Sequence, residues 1–375
     1  MPTYLAPGVY VEEPPPKARP LAGVGTSTAG FIGVVPDAVT MPAGATVAPA
    51  ATPQLISSWE EYKNKFGDFQ AATTVLAHAV YGFFNNGGKN CWVMRVVDLS
   101  SLATNLEKFE PIDEIAIVAV PGAVTNTQQN VIVAHCEKMK DRVCVLDGQQ
   151  NLAGNISVTD IKGTTGDSKF AAMYWPWLKV SNPPGNAALI SQPPSGHVAG
   201  IYARVDATRG VFKAPANEAV FGAVDVDRNI TRNQQENINP KGINAIRVFN
   251  GAVKVYGGRT LGGDDNGDMR YISTRRYMNF LVESIDEGTQ FVVFEPNSPA
   301  LWQRIIRSVS DFLYNQWREG GLFGETQKQA FFVKCDAELN PPSVREAGQV
   351  ITEIGVAIVK PAEFVIFRIE QTTGS

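Results

Sequence analysis

Along residues 29–205, continuous apolar runs alternate with segments in which apolar residues recur at helical spacing. Residues 29–35 and 91–97 are apolar runs of buried-strand length, whereas residues 57–66 and 72–85 repeat apolar side chains at helical spacing. Further strands are predicted at 115–120, 142–146 and 170–180, the last bent or at an edge because of Pro176, and further helices at 128–140 and 194–205. Strands that alternate with helices predict an α/β domain whose parallel sheet is covered on both faces.

Beyond residue 209 the pattern becomes mixed. Strands are predicted at 246–249, 253–256, 330–336 and 349–359, and helices at 275–287 and 298–319. The second helix has Ser298 as its N-cap and Pro299 as its first residue, a favoured pairing at a helix start. The sequence thus predicts an amino-terminal arm (1–24), an α/β domain (25–205), a mixed α+β domain (206–360) and a carboxy-terminal strand arm (361–375).

Both terminal segments carry a β-strand with no evident partner. The first consists of Val9, Tyr10, Val11 and Glu12, and the second of Phe364, Val365, Ile366, Phe367, Arg368 and Ile369. An isolated strand is not stable in water, because its backbone groups need partners. Each strand therefore joins the sheet of its own domain or reaches a neighbouring molecule. Pro14, Pro15 and Pro16 impose an extended polyproline II stretch after the first strand. This stiff stretch favours pairing of the strand with a neighbouring molecule.

Composition and charge exclude several classes of protein. The chain has 375 residues, of which 44% are hydrophobic and 19% are charged. This composition is typical of a globular protein, and the length indicates two domains. A net charge of −4 argues against a nucleic-acid binder. The sequence contains neither a secretory signal pattern nor an apolar stretch long enough to span a membrane, so synthesis in the cytoplasm is expected. The four cysteines form no C-x-x-C pair and are expected to be buried thiols.

Candidate catalytic chemistry is sparse. Residues 194–200 (PSGHVAG) resemble the helix that follows the nucleophile in subtilisin-like proteases, but the position of the serine, five residues before His197, holds Gln192. A Ser-His-Asp triad is not available without that serine. The resemblance implies a subtilisin-like α/β scaffold without activity. His78 and His135 are expected to be structural, and the acidic segment 264–268 is expected to be a solvated turn rather than a calcium loop. No catalytic, cofactor or metal site is predicted.

Eight segments together resemble the contractile tail sheath family of myophages, R-type bacteriocins and extracellular injection particles. They are PGVYVEE (7–13), YGFFNNGG (81–88), WVMRV (92–96), DATRGVFKAPANE (206–218), INAIR (243–247), VYGGRTL (255–261), YISTRR (271–276) and FVVFEPN (291–297). The arm and the near-minimal length are most similar to sheaths of the extracellular particles. The alternatives are a catalytically dead or novel subtilisin-like hydrolase and a non-contractile baseplate or capsid-like protein.

The resemblance implies a structural protein that polymerises around an inner tube and contracts to drive that tube through a target cell envelope. Its expected partners are other copies of itself, the inner tube, baseplate and cap proteins and, where the particle has them, sister sheath subunits, with no nucleic acid, membrane insertion or cofactor. It would act in a virion tail or a released particle. The terminal strands would add to sheets of neighbouring copies. Hinges are expected at Pro14 to Pro16 and at Lys360 and Pro361.

The helix at 298–319 is the predicted contact with the inner tube. Its outward residues are Arg304, Arg307, Asp311, Arg318 and Glu319. Charge pairs at such a rim are weak enough to break when the tube is released. The alternative is that these side chains only solvate an exposed helix face.

Overall fold

The computed structural model describes residues 21–154 and 156–366. These residues form two compact units. The larger contains residues 23–283 and 358–366, and the smaller contains residues 284–357 together with residues 21 and 22. Among the described helices, none is long and apolar enough to cross a membrane.

A sheet of nine described strands forms the centre of the larger unit. The strands lie in the order β2-β3-β1-β4-β5-β6-β11-β12-β9. Their bounds are β1 (Ala29–Val34), β2 (Gln54–Ile56), β3 (Cys91–Val96), β4 (Ile117–Ala119), β5 (Val143–Asp147), β6 (Ala171–Trp175), β9 (Glu218–Ala219), β11 (Ile243–Phe249) and β12 (Ala252–Val255). In this spatial order, the neighbouring strands from β3 to β11 are parallel to one another. Strands β2, β12 and β9 pair antiparallel with their neighbours. The predicted parallel sheet is confirmed.

Helices cover both faces of this sheet. The helices of the larger unit are α1 (Trp59–Phe66), α2 (Thr74–Asn85), α3 (Leu102–Glu107), α4 (Asn126–Met139), α5 (Val158–Lys162), α6 (Ser195–Arg209) and α7 (Arg232–Ile238). Adjacent strand residues enter different cores: Phe31 packs in the cluster that contains α2 and α6, and Ile32 packs in the cluster that contains α3 and α4. Both faces of the strands are apolar, which is why they read as unbroken apolar runs.

Helices α2 and α6 approach each other closely because α6 carries glycines at positions 196 and 200. A Cβ atom at Gly196 would overlap the backbone of Ala79, and one at Gly200 would overlap the carbonyl oxygen of Phe83. We expect Gly200→Ala to lower the free energy of unfolding by about 1–3 kcal/mol, since backbone atoms of α2 would have to move. Gly25→Ala is the matched control, because a Cβ there meets nothing within 4 Å. Chemical denaturation of both variants measures the difference, and equal stability would contradict this packing.

A second sheet begins in the region for which the sequence predicts a single bent strand. The predicted strand at 170–180 is divided between β6 and β7 (Leu178–Ser181), and β7 pairs antiparallel with β8 (Leu189–Gln192) and β10 (Ala223–Val226). Pro176 lies between the two pieces and has no backbone N–H to donate to a ladder. The single bent or edge strand predicted over 170–180 is therefore two strands in different sheets, and they are separated at Pro176.

The smaller unit combines helices with a two-stranded sheet. Its elements are α9 (Pro299–Arg318), α10 (Gln327–Ala330), α11 (Pro342–Glu346), β13 (Phe331–Lys334) and β14 (Glu353–Val356), and α8 (Ile272–Thr289) contains the boundary between the units. Helix α9 begins as predicted: the Ser298 side chain accepts a hydrogen bond from the Leu301 N–H, and Pro299 is the first residue. Strands β13 and β14 are antiparallel, with Phe331 opposite Val356 and Lys334 opposite Glu353.

The expected boundary between residues 205 and 206 falls inside the larger unit. Strand β11 pairs parallel with β6, with Ile243 opposite Met173, so residues after 206 complete the sheet begun by residues before it. The described units instead divide at residues 283 and 284. The change in composition at residue 209 marks a change to turns and short strands, not the end of a hydrophobic core.

Candidate assembly surfaces

The structure describes part of the predicted arms. The predicted strand Val9 to Glu12, the prolines Pro14 to Pro16, and the last arm residues Phe367, Arg368 and Ile369 lie outside the described residues. Phe364, Val365 and Ile366 are described, and their side chains are 71%, 71% and 79% exposed. They pair with no strand in the part of the chain that the structure describes. Three consecutive apolar side chains are thus exposed, and their backbone joins no strand within the described residues.

A polar clamp precedes this exposed segment. The carboxylate of Glu363 accepts hydrogen bonds from the Arg259 guanidinium (Nη2, 2.7 Å; Nε, 2.9 Å), the Asn239 side-chain amide (2.7 Å) and the Tyr271 hydroxyl (3.0 Å). The Arg259 side chain is only 3% exposed and also pairs with Asp264 at 3.0 Å. Glu363 is therefore attached to the larger unit, and the free segment begins at Phe364.

The clamp depends on the charge of Glu363. Burial by itself would raise the pKa of this carboxyl, but the hydrogen bonds from Arg259, Asn239 and Tyr271 and the positive charge of Arg259 together outweigh burial and hold the pKa below its ordinary value of 4.5. A carboxyl with a depressed pKa in the folded state stabilises that state above the unfolded pKa. This stabilisation is lost as the pH falls below 4.5 and through the folded pKa.

We expect Glu363→Ala to free the end of the chain while the body stays folded. A nitroxide on Val365→Cys reports this, because the four native cysteines are buried and should not react. In Glu363→Ala the label should be highly mobile already at pH 7. In the labelled chain that keeps Glu363, the label should become equally mobile only below about pH 4.5. Lys360→Met is the control, because it removes an exposed ion pair with Asp268 in the same segment. Equal mobility in both variants would contradict the clamp.

The clamp was not predicted from the sequence. Glu363 and Arg259 are 104 positions apart, and nothing local to either residue marks the pair. The available signal was an arginine inside the buried, glycine-rich segment 257–263, which needs a carboxylate partner. The predicted hinge residues Lys360 and Pro361 lie just before the clamp, with Lys360 bonded to Asp268 at 2.6 Å.

The two-stranded sheet of the smaller unit presents open strand edges. Within the described residues β13 and β14 pair only with each other, which leaves one edge of each strand without a partner strand. Exposed apolar side chains accompany this sheet, with Phe332 in β13 51% exposed. A sheet of only two strands is marginal by itself. Unpaired edges also present N–H and C=O groups to which another strand can add.

The predicted tube-contact residues lie on one side of α9. Its opposite side is buried and includes Leu301, Ile305 and Val309. Arg307, Asp311, Arg318 and Glu319 are exposed. Arg304 is half-buried: it pairs with Glu295 at 3.4 Å, and its guanidinium lies 5.0 Å from the Phe291 ring centroid. Four of the five side chains are thus available to a partner.

The region that resembles a protease helix has its polar groups committed to structure. Ser195 is fully buried, and its hydroxyl and backbone N–H both donate to Asp147 at 2.8 Å. Burial raises the pKa of Asp147 to about 6, even though those hydrogen bonds act to lower it. His197 is buried, its pKa is lowered to about 3 by burial and by His78, and its Nδ1 has no hydrogen-bond partner among the described residues. Asp147 caps α6, and no serine-to-histidine hydrogen bond forms in this described region.

The acidic loop pairs with basic side chains. Asp264 bonds to Arg259 and Arg270, while Asp265 bonds to Lys241 at 2.7 Å. Among the described residues, no group of three or more acidic, cysteine or histidine side chains is arranged to hold a metal ion. The segment 264–268 lies in 3₁₀ backbone that is kinked at Gly267.

Comparison with known proteins identifies the family. The model of the phage tail sheath protein central domain matches residues 98–261, and that of the phage tail sheath C-terminal domain matches residues 264–372. The chain belongs to the phage tail sheath family. The resemblance seen in the sequence is thereby confirmed.

Solved sheath structures cover almost the whole chain. The helical sheath of the anti-feeding prophage in the contracted state is 30% identical, with a TM-score of 0.81 over 99% of this chain and 100% of that one. The sheath of the PVC extracellular contractile injection system, also contracted, is 32% identical, with a TM-score of 0.78 over 99% of both chains. The expected likeness to contractile sheaths of phage-tail-like particles is confirmed.

A phage relative is more distant. The tail sheath protein of Burkholderia phage BcepMu is 23% identical over 348 residues, which cover 89% of this chain and 66% of that protein. This sheath chain spans about two thirds of the length of the curated relatives that it matches.

Proposed function

We propose that this chain polymerises around an inner tube and contracts to drive the tube through a target cell envelope. The exposed segment from Phe364 to Ile366 carries this proposal, because it follows a firm anchor and has no strand partner among the described residues. The open edges of β13 and β14 in a neighbouring copy are the complementary feature. A tail strand on one copy and an open sheet on the next make a head-to-tail contact that can repeat without closing.

Strand addition at these edges supplies the cohesion of the assembly. Each backbone hydrogen bond contributes only about 0.5–1.5 kcal/mol net. A single arm is therefore a modest contact, but every subunit repeats it. The amino-terminal strand Val9 to Glu12 supplies the second added strand, so each two-stranded sheet would become part of a mesh that crosses subunit boundaries.

Contraction in this scheme moves the subunit bodies while the arms keep their sheet contacts. The arms then act as hinges, at Pro14 to Pro16 and at the segment Lys360–Pro361, with the Glu363 clamp as the last anchored point. The extended state stores free energy relative to the contracted state, and the difference is summed over all copies. The stroke needs no nucleotide. Baseplate and cap proteins close the two ends, and sister sheath subunits join where the particle has them.

The exposed side of α9 contacts the inner tube. Arg307 and Asp311 are one turn apart on this side. We expect the double charge reversal Arg307→Glu/Asp311→Arg to leave cylinders intact while sheaths lose their inner tubes. The reason is that charge complementarity sets register and partner choice. Reversal of the exposed pair Arg232 and Glu236 on α7 is the control. Electron microscopy counts empty and filled sheaths, and equal filling in both variants would rule out this contact.

The chain acts as a structural protein made in the cytoplasm, not as an enzyme. In the proposed subtilisin-like scaffold Gln192 stands where a nucleophilic serine would be required, and Gln192 is buried. The side chain of Ser195 holds the end of α6 instead of serving a base. These features support a scaffold in which Gln192 and Ser195 serve packing and helix capping.

Negative-stain microscopy of the purified chain, alone and with the inner-tube protein, tests the function. Long hollow cylinders are expected. Closed rings or shells without cylinders would favour a baseplate or capsid-like protein, and monodisperse monomers that hydrolyse peptides would favour a hydrolase.

A further inference from the structure

A pocket on the larger unit is lined by aromatic rings, two prolines and one acid. It has a volume of about 430 Å³ and is formed by Trp59, Asp68, Phe69, Tyr81, Pro183 and Pro184. The three rings are in mutual contact: Trp59 lies 4.7 Å from Phe69 and 5.3 Å from Tyr81, centroid to centroid. Trp59 also stacks on the buried Tyr62 at 4.9 Å, which holds the cluster in place.

The polar side chains of this pocket have few partners among the described residues. Neither the Trp59 indole N–H nor the Tyr81 hydroxyl forms a hydrogen bond to another described residue. The Asp68 carboxylate accepts a hydrogen bond from the Phe69 N–H but forms no ion pair within the described residues. The pocket therefore brings together aromatic surface, two side chains that can donate hydrogen bonds, and the carboxylate of Asp68, whose charge also acts on Lys63.

We infer that this pocket binds the segment Pro14-Pro15-Pro16-Lys17-Ala18-Arg19-Pro20 of another copy of this chain. A polyproline II segment has no internal hydrogen bonds, so its carbonyl oxygens are available to donors such as an indole N–H and a tyrosine hydroxyl. Aromatic-lined grooves are the usual receptors for such segments. Lys17 directly follows the three prolines and Arg19 lies two residues further on, and their positive charges complement Asp68.

This inference deepens the proposed function and rests on it. The arm strand Val9 to Glu12 precedes the prolines, so a docked proline segment would fix the direction in which that strand leaves the pocket. The conformational entropy that a segment loses on binding is small here, because polyproline II is already extended and stiff. The pocket would then act as a second, independent contact between copies beside the strand addition.

A peptide titration tests the chemistry without any need for polymerisation. A fluorescent peptide of residues 14–20 is titrated onto the full chain by anisotropy, beside a peptide with alanine at the three prolines. We expect the alanine peptide to bind about tenfold more weakly. Asp68→Asn should weaken binding at low salt and flatten its salt dependence, and Tyr81→Phe should weaken binding while leaving the fold intact. Trp59→Ala should abolish binding. Equal binding of both peptides, or no effect of Asp68→Asn and Tyr81→Phe, would overturn the inference.

Photo-crosslinking tests which copy supplies the segment. A benzoyl-phenylalanine at position 184, on the pocket rim, is placed in full chains that are assembled from equal parts ¹⁴N and ¹⁵N protein. Crosslinks between position 184 and residues 14–20 that carry mixed isotopes are expected, and none from the same probe at Tyr256, which is exposed but outside the pocket. Crosslinks within a single copy, or to other segments only, would overturn the inference. Cylinders that form without these crosslinks would contradict this inference alone. If the unaltered chain forms no cylinders, the proposed function is contradicted.

Discussion

Deletion of residues 1–16 is expected to give a folded chain that does not polymerise. Among the described residues, the two hydrophobic cores of the larger unit draw on side chains from Ala29 onward, and the deletion removes none of these. The deletion removes the predicted strand Val9 to Glu12 and the three prolines, and with them one of the two strands that each copy is proposed to donate. Sedimentation should show monomers where the full chain forms large assemblies, and thermal unfolding should be unchanged.

Deletion of residues 1–6 is the matched control. It shortens the same terminus but keeps the strand and the prolines, so cylinders should still form. If the chain without residues 1–16 also forms cylinders, strand donation by this arm is not what joins the copies. If it fails to fold, as judged by circular dichroism, the arm has a role inside the subunit.

Arg276→Met is expected to lower the free energy of unfolding by about 3–5 kcal/mol, a large part of the stability of a typical folded domain. Arg276 pairs with Asp206 at 2.6 and 3.0 Å, and the two side chains are only 3% and 6% exposed. Thr26 completes the site: its carbonyl accepts from Arg276, and its hydroxyl donates to Asp206. Removal of the arginine leaves a buried carboxylate without its cation, which costs more than the pair itself contributes.

Arg232→Met provides the control for the buried pair. Arg232 bonds to Glu236 with the two side chains 86% and 60% exposed, so its loss should change stability by no more than about 0.5 kcal/mol. Urea denaturation of both variants measures the contrast. The double variant Arg276→Met/Asp206→Leu should recover part of the loss, because no unpaired charge remains. A similar cost for Arg276→Met and Arg232→Met would show that the buried pair does not stabilise the fold.

Much of the secondary structure of the larger unit could be predicted, because its signals are local. The apolar run at 29–35 became β1, the run at 91–97 became β3, and in the smaller unit the N-cap at Ser298 begins α9. Buried parallel strands show as unbroken apolar runs and helix starts show as cap residues, so neither needs knowledge of distant contacts. The missed elements were short, such as β9 with two residues.

Contacts between distant residues could not be predicted. The sequence showed Trp59, Tyr62 and Phe66 at helical spacing, which is typical of a core-facing stripe. In the structure Tyr62 and Phe66 are buried, whereas Trp59 lines the pocket beside Phe69 and Tyr81. Periodicity identifies the apolar side of a helix, but it does not say whether that side is covered completely.

The sequence by itself determined the order and type of the main elements, the family and the strand-forming character of the segments near both ends. These properties depend on spacing, composition and motifs within a few residues of one another. Only the tertiary structure decided where the cores end, which carboxylate holds Arg259, and that the exposed segment starts after Glu363. Those outcomes depend on which distant side chains come within hydrogen-bond range, and that is set by the packing of the sheet and its helices as a whole.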